Sequence, residues 1–257
     1  MDGLFTLPFF TGLAFAVLLP LVGIWLRLRD EWLAALAVAH LAGAGAVIAL
    51  GLSAPALLGA AGLAVAGMLG RHLPASGHSA YAWLILAGWA VVLLVAANSP
   101  LGETLARQLV DGQLYFTGPV ELAAAVVLAI VALGLRRRID RHELAMRLLP
   151  ATSGSEASRR RHVGTMIDVL IAVALAAGTL SVGLMATFAL VFLPAWAGFH
   201  VAAHWRQASA WTIGLSVIGY LLAFATALFL DQPFAPVLVA TLLALATATR
   251  LLSRRAC

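Results

Sequence analysis

The sequence predicts an all-α, polytopic membrane protein with about nine transmembrane helices, its N-terminus outside and its C-terminus cytoplasmic. Three observations predict it. Of 257 residues, 63% are hydrophobic and 11% charged, with a mean hydropathy of +1.00, which leaves too few charges to coat a soluble domain. The apolar residues gather into runs of membrane-crossing length. The sixteen basic residues, all arginines, fall almost entirely in alternate gaps between those runs.

Crossing about 30 Å of hydrocarbon takes roughly 20 helical residues at 1.5 Å each. This divides the chain into spans at 8–26, 32–51, 54–70, 81–97, 119–135, 165–181, 183–204, 208–230 and 234–252. The first run is expected to stay as a helix, because no Lys or Arg precedes Arg27 to form the positive start of a signal peptide. The stretch 165–204 is too long for one span, and only Gly178, Ser181 and Gly183 offer a break in it. Arginine marks the cytoplasmic side of short loops. With the N-terminus outside, Arg27, Arg29, Arg71, the eight arginines from 136 to 161, Arg206, Arg250, Arg254 and Arg255 lie inside, and Arg107 alone lies outside. The pI of about 10.6 is then a topological signal facing an anionic inner leaflet, with no nucleic-acid partner implied. Cys257 is the single cysteine, so neither a disulfide framework nor a thiolate metal cage is available.

One transmembrane domain, 1–257, is expected, with two loops long enough for structure of their own. The outer loop 98–118 places Leu101, Leu105, Leu109 and Leu114 at near-helical spacing against Glu103, Arg107 and Asp111. That pattern predicts a short amphipathic helix, either sealing the bundle at the interface or docking an outside partner. In the cytoplasmic loop 136–164, "DRHELAMRLL" reads as a short helix with acidic residues early and Arg147 late, and "PATSGSEAS" as a polar link. This loop is either a positive-inside anchor or a helix presented to a cytosolic partner.

Catalytic signatures are missing: there is no Gly-rich phosphate loop, no His-Glu-x-x-His and no Gly-x-Ser-x-Gly. The chain is therefore expected not to be an enzyme, and any ATP hydrolysis falls to a separate subunit. Attention moves to ionisable residues in or beside the spans, since a charge at mid-bilayer costs roughly 2.5–3.5 kcal/mol on insertion scales. Asp231 sits in the turn "LDQPFAP", Glu121 in the first turn of its helix and Asp168 one turn inside the inner interface, all boundary positions. His200 and His204 are spaced i, i+4, which on one helix places two imidazoles within reach of one metal ion. They also lie at an interface, beside Trp205 and Arg206. His40 is different: eight residues beyond Trp32, it is about 12 Å deep, among small residues that admit another helix. It is either a neutral imidazole bonded across a helix pair or a ligand in a translocation path.

Four segments resemble the permease subunits of ABC-type zinc, manganese and iron importers, the ABC-3 family, from about residue 8 to 252. "LRLRDEWLAALAVAHLAGAGAVIAL" is similar to that family's Arg-rich turn followed by "LGDALSHAVLPGVAL". "IDRHELAMRLLP" resembles "FDPELARALGLP", "VGLMATFALVFLPAWAG" resembles "VGVLLVSALLIIPAATA", and "LDQPFAPVLVA" resembles the "D-x-P-x-G-P" turn before the last helix. The resemblance implies a permease homodimer in the bacterial inner membrane, ABC ATPase subunits on the cytoplasmic side and an extracytoplasmic metal-binding protein. It makes 140–150, with Asp140, Glu143, Leu144 and Arg147, part of the segment that meets the ATPase, and His40 the motif histidine of the metal path. The chain departs from the pattern at Leu36, where the family carries Asp, and at Ala35 and Ala44, where it carries Gly and Pro. An imidazole without its carboxylate favours zinc over manganese or iron as the transported divalent metal; no cofactor is expected on the chain itself. The competing expectation is a non-transporting scaffold or assembly component that recruits a soluble partner through its basic loop.

Overall fold

In a computed structural model, residues 5–70, 77–148 and 155–255 are described. They form ten α-helices: α1 (Thr6–Arg29), α2 (Trp32–Gly51), α3 (Ala56–Gly70), α4 (His78–Asn98), α5 (Pro100–Asp111), α6 (Pro119–Leu148), α7 (Ser155–Val182), α8 (Leu184–Val201), α9 (Trp205–Leu230) and α10 (Phe234–Arg255). Each of the nine expected spans corresponds to a helix. Eight are long and apolar enough to cross a membrane, whereas α3 has 15 residues and is shorter than the bilayer core.

Helices α1 and α2 are the most enclosed, and α4, α6 and α10 show most of their surface outward. With lipid as apolar as the side chains, packing depends on how closely backbones approach. A Cβ on Gly45 of α2 would stand 2.1 Å from the carbonyl oxygen of Gly59 on α3, and one on Gly23 of α1 would stand 2.0 Å from that of Val191 on α8. Only glycine permits these crossings.

The long apolar stretch breaks at Gly183, whose φ of +95° is open to glycine and strained for other residues; α7 ends before it and α8 begins after it. The outer loop folds as expected from its leucines. Ser99 caps α5 by accepting from the Gly102 amide at 3.3 Å, and Leu105 and Leu109 are buried. A single 3₁₀ turn, Leu114–Phe116, follows.

Two boundaries differ from expectation. Residues 136–148 are no separate helix and no loop: α6 runs unbroken for 30 residues through "RRRIDRHELAMRL". Nothing between Leu135 and Leu148 interrupts a helix, and Arg, Glu, Leu, Ala and Met all favour one. Helix α7 likewise starts at Ser155, ten residues before the expected span. Of the expected polar link, 150–158, residues 150–154 lie outside the described residues, as does position 149 at the end of the expected helix.

Candidate functional site

His40 lies in the third turn of α2, 5% exposed, on the side packed against α4. Helix α4 crosses at Gly88, where a Cβ would come within 2.9 Å of the His40 Cβ and 2.8 Å of its carbonyl carbon. The imidazole Nδ1–H donates to the Leu36 carbonyl oxygen at 2.8 Å, which fixes the ring and directs the lone pair to Nε2. The Trp89 indole packs edge-on at 5.7 Å between ring centroids and is itself 41% exposed. Leu36 thus serves His40 with its backbone, at the position where the resemblance leads one to look for a carboxylate.

His200 and His204 do not share a helix face. Helix α8 ends at Val201, Ala202 is extended, and His204 precedes α9 with extended backbone. The i, i+4 spacing therefore spans a turn between helices. His200 is exposed, donates from Nδ1 to the Trp196 carbonyl at 2.7 Å and lies against the half-buried Trp196 ring. Among the described residues, no three His, Cys, Asp or Glu side chains converge where they could hold a metal ion.

Of the boundary carboxylates, Glu121 accepts from the Gly118 amide at 2.9 Å, tying down the start of α6. Asp231 ends α9 in the left-handed conformation at φ 51°.

Asp140, Glu143 and Arg147 of α6 bind other helices of the same chain. The Glu143 carboxylate, 4% exposed, receives Arg29 in a fork: Nη2 to Oε1 at 2.6 Å and Nε to Oε2 at 2.9 Å. The remaining Arg29 nitrogen, Nη1, donates to Asp168 on α7. One guanidinium thereby joins α1, α6 and α7. Asp140 accepts from Trp25 Nε1 at 3.0 Å and Trp205 Nε1 at 3.4 Å, with Arg136 Nε at 3.6 Å. Arg147 donates to the Leu28 carbonyl at 2.9 Å, beside the end of α1. Leu144 is half-buried, whereas Met146 and Leu148 are 54% and 74% exposed.

Sequence reasoning missed the Arg29 junction, because Arg29 lies more than a hundred positions from either carboxylate. The available signal was chemical: Asp168 within a span, and Glu143 in a segment otherwise read as solvated, each required a cation, and Arg29 ends a span at the same level.

The architecture is that of a polytopic helical membrane protein built from close-packed spans. No protein-family profile and no curated protein matches the sequence. Among solved structures the chain is similar to "PsaBC from Streptococcus pneumoniae in complex with Fab", with a TM-score of 0.80 and 11% identity over 97% of this chain and 91% of that one. At that identity the likeness shows a shared fold.

Proposed function

We propose that this chain is the membrane-spanning permease subunit of an ABC importer for a divalent transition metal, zinc in preference to manganese or iron. The fold shared with PsaBC along nearly the whole chain carries the reading, and the four segments that resemble ABC-3 permeases, in that family's order, support it. In this reading the arginine-rich end faces the cytoplasm of a bacterial inner membrane. Two copies form a homodimer, ABC ATPase subunits dock at the end of α6, and an extracytoplasmic metal-binding protein delivers the cation at the opposite end. Nucleotide binding on the ATPase shifts the dimer between outward and inward states, each able to bind the cation from one side.

His40 is the contact this chain offers to the moving cation. Its Nδ1 is held by Leu36 and Nε2 is the free ligand nitrogen, so the imidazole is oriented as metal-binding histidines are. With one nitrogen donor it holds a cation weakly, which suits passage, since a path must release what it binds. In the segment 140–150, Asp140, Glu143 and Arg147 fasten α6 to its neighbours, and the helix end that carries Leu144, Met146 and Leu148 is offered to the ATPase.

The test is reconstitution with candidate ABC ATPase and metal-binding proteins drawn from the gene neighbourhood. Zinc-stimulated ATP hydrolysis in lipid and radioactive zinc uptake are expected, with uptake lost in His40→Ala while the complex still assembles. Uptake unchanged in that variant removes His40 from the path. A chain that binds a soluble partner yet supports neither hydrolysis nor uptake is instead a scaffold.

A further inference from the structure

At the arginine-rich end, a cleft of about 680 Å³ opens between α6 and α9. Its charged lining is Arg136, Arg137, Arg141 and Arg206 against one carboxylate, Asp140. That carboxylate is already engaged by two indoles and by Arg136. Four guanidiniums against one carboxylate leave the cleft three positive charges in excess, and Arg137, Arg141 and Arg206 are exposed to what enters it.

Toward the middle of α6, the face that carries two of these arginines becomes apolar. At 100° per residue, Val126, Ile130, Leu133, Arg137 and Arg141 fall within about 80° of one another. The first three are 38%, 63% and 46% exposed. An apolar track about two turns long thus runs into a basic cleft, with Trp205 at the level where the two meet, the depth indoles favour in bilayers.

We propose that this cleft binds the headgroup of an anionic phospholipid, with an acyl chain lying along Val126, Ile130 and Leu133. Guanidinium forks match phosphate oxygens in pairs, and basic pockets between transmembrane helices at an inner interface suit anionic headgroups. A zwitterionic lipid would bring its own cation against three uncompensated arginines. A free phosphate would use the arginines and leave the track empty. The bound lipid fastens α6 to α9 beside the Asp140 junction. The inference rests on the helices and their charges alone, so it stands or falls separately from the transport reading.

Native mass spectrometry of the purified full chain, equilibrated with equal phosphatidylglycerol and phosphatidylcholine, reads the preference directly. Wild-type protein is expected to retain phosphatidylglycerol selectively. Each arginine near a membrane surface contributes about a fivefold factor, so Arg137→Gln/Arg141→Gln should weaken retention roughly 30-fold. Arg137→Lys/Arg141→Lys should keep most of it, and Arg107→Gln, at the opposite end, should keep all of it. Equal retention of both lipids by wild-type protein overturns the proposal, as does unchanged retention in a folded double glutamine variant. If inorganic phosphate displaces the lipid and binds equally well after Ile130→Gln/Leu133→Gln, the site is one for free phosphate and the lipid assignment fails. Should the glutamine variant not fold, wild-type selectivity and the lysine variant still decide.

Discussion

Replacing Arg29 by methionine would remove the guanidinium that two interior carboxylates share. Glu143 and Asp168 are 4% and 8% exposed, and both are bound to this one guanidinium. Removing one partner from a buried ion cluster typically costs about 3–5 kcal/mol, because the remaining charges lose compensation. For a chain of this length each kcal/mol shifts Tm by about 2–4 °C, so Arg29→Met should lower the midpoint by on the order of 10 °C. The loss should be reversible by removing the charges it exposes. Adding Glu143→Gln and Asp168→Asn to Arg29→Met keeps shape and neutralises the junction, and neutral replacements of buried ion clusters are often close to isoenergetic with them. Thermal unfolding of purified protein in detergent, followed by intrinsic tryptophan fluorescence, measures both. A fall of less than about 2 °C in Arg29→Met, or a triple variant no more stable than the single one, would refute the view that Arg29 compensates buried charge.

Further outcomes follow from the helix crossings and the end of α6. Gly45→Val should destabilise by at least about 1–3 kcal/mol in the same assay, since its Cβ would meet the Gly59 backbone at 2.1 Å, whereas Gly51→Ala, with open space around it, should change nothing. Met146→Glu/Leu148→Glu should leave Tm unchanged, as both side chains are exposed. In the proposed complex it should reduce ATPase co-purification by about tenfold or more.

The helices were legible because lipid imposes one rule, a run of about 20 apolar residues, and the chain obeys it in every span but the short α3. The break at Gly183 was legible as one of three candidates, and only the backbone angle chose among them. The continuation of α6 was not. Hydropathy ends a span where arginines begin, but a helix ends only where its backbone bonds do, and "RRRIDRHELAMRL" contains no breaker. The His200–His204 pair failed for the opposite reason. A turn at Ala202 and Ala203 carries no Gly or Pro, so spacing alone implied one continuous helix. His40 was found by depth. Its bond to Leu36 is a contact within one helical turn, available to any buried histidine, and so says nothing in advance about its second nitrogen.

The length of α6 bears on how the arginine-rich end could act on His40. Thirty helical residues extend about 45 Å, roughly 15 Å beyond the hydrocarbon core. That extension is fastened to α1 at three levels: Asp140 to Trp25, Glu143 to Arg29, and Arg147 to the carbonyl of Leu28. Helix α1 in turn meets α8 with no room between Gly23 and Val191. Helix α2 is locked instead to α3 through Gly45 and Gly59, and to α4 through His40 and Gly88. Although α1 and α2 are consecutive, they touch each other far less than either touches these partners. The chain passes from the first group to the second through Asp30 and Glu31, where Asp30 holds a left-handed backbone at φ 58°. In the proposed permease, a push on Leu148 is thus carried first to α1, and reaches α2 and His40 through α7 and α8, which α2 also meets, Trp32 packing edge-on against Phe192 of α8.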